Sequence, residues 1–202
     1  MPGPPDRYAV LGQPVAHSQS PFIHAMLAQQ TRQHLVYDRV PCPPDGFEAC
    51  VRAFANTPGP HGERARGCNV TIPFKFEAPR LARRVSPRAQ LARAANVLGF
   101  DDALWWADNT DGVGLINDLE GNAAFALAGR RVLLVGAGGA AAGVLGPLIE
   151  RAPAQLVVVN RTAERARSLV DRHRPLATAH GVDLRGGGLD ESGCDFELVM
   201  NS

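Results

Sequence analysis

The sequence predicts an α/β fold in which β-strands and α-helices alternate along the chain. Short apolar runs at residues 132–135 and 156–159 have the composition of strands that are buried on both faces, and a helical pattern follows each of them. A glycine-rich turn at residues 136–139 joins the first run to an alanine-rich helix. Because this alternating order forms parallel sheets with right-handed crossovers, the second half of the chain predicts a parallel sheet covered by helices.

The first half of the chain mixes strands and helices less regularly. Its short apolar runs predict strands at residues 8–11, 35–40, 69–72, 97–100 and 104–107. The last two would form a hairpin that turns at residues 101–102. A helix is expected to begin where Ser20 precedes Pro21, with Ser20 as the N-cap and Pro21 at the first helical position. Phe22, Met26 and Leu27 share one face of that helix.

A second helix is predicted over residues 45–55, because Phe47, Val51 and Phe54 recur there at helical spacing and would face the core. Residues 56–67 are rich in proline and glycine, which predicts a loop. One or two helices are expected between residues 74 and 92.

In the second half, a helix capped by Thr162 is predicted to run to about residue 174, and a last strand is predicted at residues 196–200.

Composition limits the classes of partner. The 202 residues are 45% hydrophobic and 20% charged with a net charge of +1, so there is neither a basic stripe for nucleic acid nor an apolar run long enough for a membrane. Small-molecule partners and a cytoplasmic location are expected. Four cysteines without paired spacing predict reduced thiols, and no metal site is expected. Composition does not distinguish a monomer from a homodimer.

The chain contains a single lysine, Lys75, beside twenty arginines. Asn69 and Thr71 alternate with apolar neighbours, so on a strand both polar side chains would face the same way. Pro73 would end the strand and leave Lys75 at its exit, where functional sites are often built. A lysine can exchange a proton near neutral pH when its surroundings lower its pKa, whereas an arginine cannot. The alternative is a lone lysine on a solvated face.

The glycine-rich turn after the first apolar strand is typical of a dinucleotide site. Gly136 permits the tight turn, Gly138 allows close approach of a pyrophosphate, and Ala141 lets the helix pack on the strand. The N-terminus of the helix adds a partial positive charge. The alternative is an ordinary glycine-rich βα turn.

The end of the next strand discriminates between dinucleotides. NAD enzymes usually carry an acidic residue there, but this chain has Asn160, Arg161 and Thr162, with Arg165 one helical turn later. Guanidinium groups suit a phosphate, so the sequence predicts NADP as the cofactor. A solvated surface pair remains the alternative, and it fits Arg167 and Arg172 better than Arg161.

Other polar residues lie where strands meet helices. Ser18 and Ser20 follow the first strand, and only Ser20 is expected to cap a helix, which leaves Ser18 as the better ligand candidate. Asn96 precedes a strand and would otherwise be a turn former. Asp111 precedes a helix and would otherwise be its cap. His17 and His24 are expected to be packing or surface residues.

These motifs occur in the order found in shikimate dehydrogenases, and the chain resembles that family from residue 8 to residue 202. The most specific are Asn-Val-Thr-Ile-Pro-Phe-Lys at residues 69–75 and Asp-Asn-Thr-Asp-Gly at residues 108–112. The others are Ser18-x-Ser20-Pro21, Ala95-Asn96, the glycine run at residues 136–140 and Asn160-Arg161-Thr162.

The resemblance implies an N-terminal α/β substrate domain over residues 1–110 and a partial Rossmann-type NADP-binding domain over residues 111–202. It also implies the reversible NADPH-dependent reduction of 3-dehydroshikimate to shikimate in chorismate and aromatic amino acid biosynthesis. Lys75 resembles the catalytic lysine and Asp111 its partner. The groups that would hold the substrate are Ser18, Ser20, Thr71, Lys75, Asn96 and Asp111. Those that would hold the cofactor are Gly136, Ala137, Gly138, Gly139, Ala140, Asn160, Arg161, Thr162 and Arg165.

The chain also departs from the family. Arg93 and Val97 stand where a glycine and a threonine usually flank the substrate asparagine, so the substrate preference could differ. Family members continue beyond the final Asn-Ser pair, and the 202-residue chain alone is therefore expected to be inactive. Two alternatives stay open: an NAD-dependent quinate/shikimate dehydrogenase, and a non-catalytic sensor that binds shikimate and NADP.

Overall fold

The structure is a computed structural model that describes residues 3–101 and 104–202. The chain forms two compact units. The first unit extends to Ser86 and resumes over Ala94–Asp108, and the second comprises Pro87–Arg93 and Asn109–Ser202. The α/β class predicted from the alternating pattern is confirmed.

A mixed six-stranded sheet forms the centre of the first unit. Its strands are β1 (Asp6–Gly12), β2 (Leu35–Pro41), β3 (Arg64–Val70), β4 (Arg84–Val85), β5 (Val97–Phe100) and β6 (Trp105–Asp108). They lie in the order β2-β1-β3-β5-β6-β4. Strand β1 is parallel to β2 and β3, whereas β5 is antiparallel to β3 and β6. The ends of β1 and β3 therefore lie beside the beginning of β5.

Two helices of the first unit, α1 (Ser20–Thr31) and α2 (Phe47–Asn56), differ in how their apolar faces are used. Phe47, Val51 and Phe54 of α2 are at most 5% exposed, so the predicted inward face is confirmed. The shared face of α1 is instead open, since Phe22 is 64% exposed and Met26 is 46% exposed.

Several predicted boundaries in this unit are wrong. Strand β3 begins at Arg64, inside the predicted loop, and ends at Val70. Thr71 and Ile72, which were predicted to lie in this strand, therefore follow it. Helix α1 begins at Ser20 itself with Gln19 as the N-cap. The hairpin of β5 and β6 is present, and its predicted turn at residues 101–102 lies partly outside the described residues. Between residues 74 and 81 the chain forms two short 3₁₀ turns.

The second unit contains a four-stranded parallel sheet. Its strands are β7 (Arg131–Val135), β8 (Gln155–Val159), β9 (Asp183–Gly187) and β10 (Leu198–Asn201), in the order β10-β7-β8-β9. The helices of this unit are α3 (Pro87–Ala92), α4 (Asp111–Asn117), α5 (Gly139–Ile149) and α6 (Ala163–Ala179). Central side chains such as Val132, Leu134 and Leu156 are fully buried, as a strand covered on both faces requires.

Strand β9 was not predicted, and α6 extends beyond its predicted end. The strand lies at the edge of the sheet, where Asp183 and Arg185 are exposed and only Leu184 between them is buried. Such a polar, glycine-ended segment resembles a loop in sequence. Helix α6 continues past Arg174 to Ala179 with Pro175 inside it.

The cysteines do not all remain thiols. Cys42, which follows β2, forms a disulfide with Cys50 of α2, and their α-carbons are 5.8 Å apart. The expectation of four reduced cysteines is therefore wrong for this pair, because the turn that brings them together has no signature in the cysteine spacing. Cys68 and Cys194 are free, and burial raises the pKa of the Cys68 thiol well above its usual range.

Within the described part of the chain, no helix combines the length and apolarity needed to cross a bilayer. Among the same residues, no group of three or more His, Cys, Asp or Glu side chains is arranged to hold a metal ion.

Candidate functional site

The loop between β1 and α1 brings the two predicted serines together. The Oγ atoms of Ser18 and Ser20 are 3.1 Å apart, and Ser18 Oγ also accepts a hydrogen bond from the Ser20 N–H at 3.3 Å. Ser18 therefore supports the start of α1, the role that the sequence assigned to Ser20. Arg39 of β2 holds the loop by donating from Nε to the Ser18 carbonyl at 2.8 Å.

Backbone hydrogen bonds gather three more predicted residues where β1 and β3 end. The Thr71 N–H donates to the Leu11 carbonyl of β1 at 2.9 Å. The Ala95 N–H donates to the Lys75 carbonyl at 2.8 Å, and the last residue of β3 donates to the Asn96 carbonyl at 2.8 Å. Thr71, Lys75 and Asn96 are thereby anchored at the same edge of the sheet, and all three are half-buried.

The Lys75 segment is also fixed by aromatic packing. Phe74 is fully buried, and its ring stacks on that of Phe47 in α2 with centroids 4.6 Å apart. Since Phe74 immediately precedes Lys75, this stack restrains the backbone from which the lysine side chain extends.

Tyr37 and Asn69, which are not among the predicted site residues, form hydrogen bonds that reach the predicted residue Asn96. Tyr37 of β2 donates from its phenol to Asn69 Oδ1 at 2.6 Å, and Asn69 Nδ2 donates to the Asn96 carbonyl at 3.3 Å. The Tyr37 ring stacks on His24 with centroids 4.1 Å apart, which confirms His24 as a packing residue. Asn69 could have been found from its place in the Lys75 motif. Tyr37 has no sequence signal, because it looks like any aromatic residue of a half-buried strand.

Burial controls the protonation of this aromatic pair. It raises the pKa of the Tyr37 phenol well above its usual range, with the buried Cys68 adding to the effect and a side-chain hydrogen bond with Ser20 opposing it. Burial also lowers the pKa of His24 below its ordinary value. At neutral pH the phenol therefore keeps its proton and the imidazole is neutral.

Asp111 belongs to the second unit, where it is the first residue of α4. Asn109 is 1% exposed, and its Oδ1 accepts a hydrogen bond from the Asp111 N–H at 3.2 Å. The alternative that Asp111 is merely the cap of this helix is wrong, because Thr110 occupies the N-cap position and Asn109 satisfies the N–H of Asp111. Lys75 lies in the first unit, so its predicted partnership with Asp111 stays a prediction.

The glycine loop lies between β7 and α5, as predicted. Gly136 has φ +121°, and a Cβ at this position would collide with the backbone oxygen of Ser202, so only glycine fits. Gly138 is the N-cap of α5, and a Cβ there would meet no atom within 4 Å. Protein packing therefore does not require glycine at position 138, whereas a ligand approaching the backbone would. Ala137 lies between these two glycines, and Gly139 and Ala140 begin the helix.

The predicted phosphate-binding residues follow β8. The Asn160 N–H donates to the Gly187 carbonyl at 3.1 Å, and its side-chain Nδ2 donates to the Thr162 carbonyl at 2.9 Å. Thr162 is the N-cap of α6, although its side chain makes no capping hydrogen bond in the described helix. Arg161 and Arg165 are exposed at the start of that helix.

Arg167 and Arg172 of α6 have partners of their own. Arg167 donates to Glu191 at 2.8 Å. Arg172 donates to the Ala92 carbonyl at 3.0 Å, and burial together with the nearby charge of Arg93 lowers its pKa. Arg172 is therefore a structural residue and not one of a solvated pair.

The two residues that differ from the family motif are Arg93 and Val97, and the structure shows the backbone position of each. Arg93 adopts φ +52°, a left-handed conformation that favours glycine, which is the residue usual at this place in the family. Val97 begins β5 directly opposite Asn69 of β3.

Comparisons with known proteins agree with these motifs. The model of the shikimate dehydrogenase substrate binding domain matches residues 10–98, and that of shikimate / quinate 5-dehydrogenase matches residues 120–183. The shikimate dehydrogenase (NADP(+)) of Methylibium petroleiphilum is 57% identical over 197 residues, which are 98% of this chain and 67% of that protein.

Solved structures of other proteins also resemble this chain. An Ael1 enzyme from Pseudomonas putida is 42% identical with a TM-score of 0.81, and the match covers 98% of this chain and 69% of that one. A shikimate dehydrogenase in complex with NADP+ is 28% identical with a TM-score of 0.82, with coverage of 98% and 66%. The chain thus spans about two thirds of the length of these relatives.

Proposed function

The chain belongs to the shikimate dehydrogenase family, and we propose that it catalyses the reversible NADPH-dependent reduction of 3-dehydroshikimate to shikimate. The observation that carries the proposal is the cluster where β1 and β3 end. There the loop of Ser18 and Ser20, the turn of Thr71 and Lys75, and Asn96 are anchored by hydrogen bonds of the first unit. In this role the protein would act in aromatic amino acid biosynthesis.

The chemistry of this cluster suits a small polyhydroxylated acid. The hydroxyls of Ser18, Ser20 and Thr71 can donate to a carboxylate or exchange hydrogen bonds with ring hydroxyls, and the amide of Asn96 can do both. Lys75 adds a positive charge that favours an anionic substrate. We assign these five residues to substrate binding and add Asp111 from the second unit.

The residues of the second unit fit NADP. Gly138 leaves open space at the N-terminus of α5, where backbone N–H groups of Gly139 and Ala140 have no acceptor within the helix. Arg161 and Arg165 offer guanidinium groups at the end of β8, which suits a 2′-phosphate better than free ribose hydroxyls. NADPH, when bound, supplies the hydride for reduction of the ketone.

Lys75 would move the proton. As the ketone carbon is reduced, its oxygen gains negative charge, and Nζ of Lys75 would donate a proton to that oxygen. In the oxidative direction the same nitrogen would accept the proton from the shikimate hydroxyl. An arginine could hold the charge but not release the proton, which gives the single lysine of the chain its proposed role. We propose that Asp111 assists it as a second catalytic residue.

The experiment that tests the proposal is a turnover assay of the protein expressed from the complete reading frame of its gene. Shikimate with NADP should give NADPH, detected by its absorbance, and quinate or NAD should be poorer. Preferred turnover of quinate with NAD would instead identify a quinate/shikimate dehydrogenase. Binding of shikimate and NADP by calorimetry without any turnover would identify a sensor, and either result would overturn the proposal.

A further inference from the structure

We propose that Tyr37 is a positioning residue of the substrate site, which orients Asn69 and, through it, the Asn96 segment, so that the Asn96 side chain faces the substrate in one arrangement. This inference rests on the proposed function, because it concerns binding of the same acid at the same site. Tyr37 touches residues of the site and not the reacting atoms.

The hydrogen bonds of the phenol are directional. Asn69 Nδ2 donates to the Asn96 carbonyl, so Oδ1 of the same amide must point toward Tyr37. An amide oxygen only accepts, and the phenol at 2.6 Å must therefore donate. The phenol is thus joined through the Asn69 side chain to the backbone of Asn96.

The ring of Tyr37 is held rigidly enough to serve this purpose. It stacks on His24 of α1 at an interplanar angle of 6°, and α1 begins at Ser20. The strand β2 that carries Tyr37 also carries Arg39, which holds the Ser18 carbonyl at 2.8 Å. Strand β2 therefore holds α1 through the His24 stack and the serine loop through the Ser18 carbonyl.

Loss of the phenol oxygen should weaken substrate binding more than it slows the chemical step. Without it, Asn69 Oδ1 lacks its donor, so the Asn69 side chain and the Asn96 segment that it holds must be reordered when substrate binds. Lys75 is held by other contacts, namely the Ala95 hydrogen bond and the stacking of its neighbour Phe74. Proton transfer should therefore be largely preserved.

The test compares Tyr37→Phe with Tyr8→Phe in the protein expressed from its complete reading frame. Tyr8 lies directly opposite Tyr37 in the β1–β2 register and is also half-buried, which makes it a matched control. Tyr37→Phe should raise the KM for shikimate and its calorimetric Kd by about 3- to 10-fold and change kcat by less than about 2-fold. Tyr8→Phe should leave all three within about 2-fold.

Affinity for NADP, measured by calorimetry, reports on the second unit of each variant and should stay near the wild-type value. A Tyr37→Phe protein that binds NADP normally, but whose KM for shikimate matches that of Tyr8→Phe, would overturn the positioning role. So would a loss confined to kcat. If the wild-type protein neither binds nor turns over shikimate, the proposed function fails first, and this inference fails with it.

Discussion

Lys75 is the single lysine of the chain, and this rarity made it a candidate functional residue. Its position after β3, the hydrogen bond from Ala95 to its carbonyl and the buried ring of Phe74 place it at the edge where the other polar side chains of the first unit gather. The lysine is half-buried, whereas Arg80 of the next turn is exposed. This difference in exposure makes Arg80 a matched control for substitutions of Lys75.

Lys75→Ala should lower kcat by about 10²–10⁴-fold, because a general acid contributes roughly that factor, and it should raise KM less strongly. Lys75→Arg should recover little of the activity, since a guanidinium does not release its proton. Steady-state kinetics with shikimate and NADP measure both effects, and Arg80→Ala should behave like the wild type. Near-native turnover by Lys75→Arg would show that proton transfer is not the role of this residue.

Arg161→Asp should shift cofactor preference from NADP toward NAD. The change removes a partner of the 2′-phosphate and offers a carboxylate to ribose hydroxyls. NADP affinity should fall by about 1.5–3 kcal/mol, the usual contribution of a hydrogen bond to a charged group. Calorimetric titration of both cofactors gives the ratio, with Arg174→Asp near the other end of α6 as the control. If the ratio does not change, Arg165 becomes the remaining candidate.

At the scale of single elements, the ends of helices differ most from the sequence-based prediction. Helix α1 begins at Ser20 with support from Ser18, and α4 begins at Asp111 with support from Asn109. In both cases the side-chain oxygen accepts a hydrogen bond from the backbone N–H two residues later. This local arrangement is typical of serine and asparagine turns. The sequence showed the candidate caps but not which of them the backbone would use.

Arg93→Gly should stabilise the protein by about 0.5–1 kcal/mol. A left-handed residue with a Cβ costs about 1–2 kcal/mol, and the greater freedom of glycine in the unfolded chain offsets part of the gain. The change also removes a positive charge that acts on the half-buried Arg172. Urea unfolding measures the difference.

A change of the same type within helix α3 is the control for this prediction. Arg88→Gly should destabilise the protein by about 1 kcal/mol, because glycine is unfavourable inside a helix. Equal losses of stability in both variants would contradict the account of the Arg93 backbone.

At the scale of the whole molecule, acid stability should depend on one histidine in each unit. Burial lowers the pKa of His24 in the first unit and of His173 in the second. His173 Nδ1 donates to the Leu169 carbonyl at 2.9 Å, and its buried Nε2 has no hydrogen-bond partner in the described structure. In the folded protein both histidine pKa values lie below the ordinary value of 6.5. Just below pH 6.5 these histidines are therefore protonated to a greater extent in the unfolded chain than in the folded chain.

Stability should therefore be highest above pH 6.5 and decline as the pH falls below that value. A second decline should begin near pH 4.5, because hydrogen bonds hold the folded pKa values of Glu63, Glu191 and Glu197 below that value, and the unfolded chain therefore binds protons before the folded chain does. Thermal unfolding measured across this range tests the order of the two steps. In His173→Phe the first decline should be smaller, and an unchanged slope would exclude His173 as a contributor.

The parts of the fold that were predictable depend on local pattern. After their first residues, strands β7 and β8 are apolar, because both faces of a central parallel strand are covered, and the inward face of α2 follows from helical spacing. Lys75 follows a strand, the glycine loop joins β7 to α5 and Asn160 follows β8, each as predicted and for a related reason, although β3 ends before Thr71 and the roles of these residues stay predictions. Turns that bring backbone toward a ligand need particular residues at consecutive positions, and consecutive positions are visible in a sequence.

Tertiary structure decided what depends on residues far apart in the chain. The edge strand β9 is polar and is recognisable only by its pairing with β8. The Tyr37–Asn69 hydrogen bond joins two strands whose proximity follows from the sheet, and the Cys42–Cys50 disulfide depends on the shape of the turn between β2 and α2. Amino-acid type and order determined which groups are present in each turn. The long-range pairing of strands determined which of these groups meet, because a hydrogen bond requires a distance that no local pattern specifies.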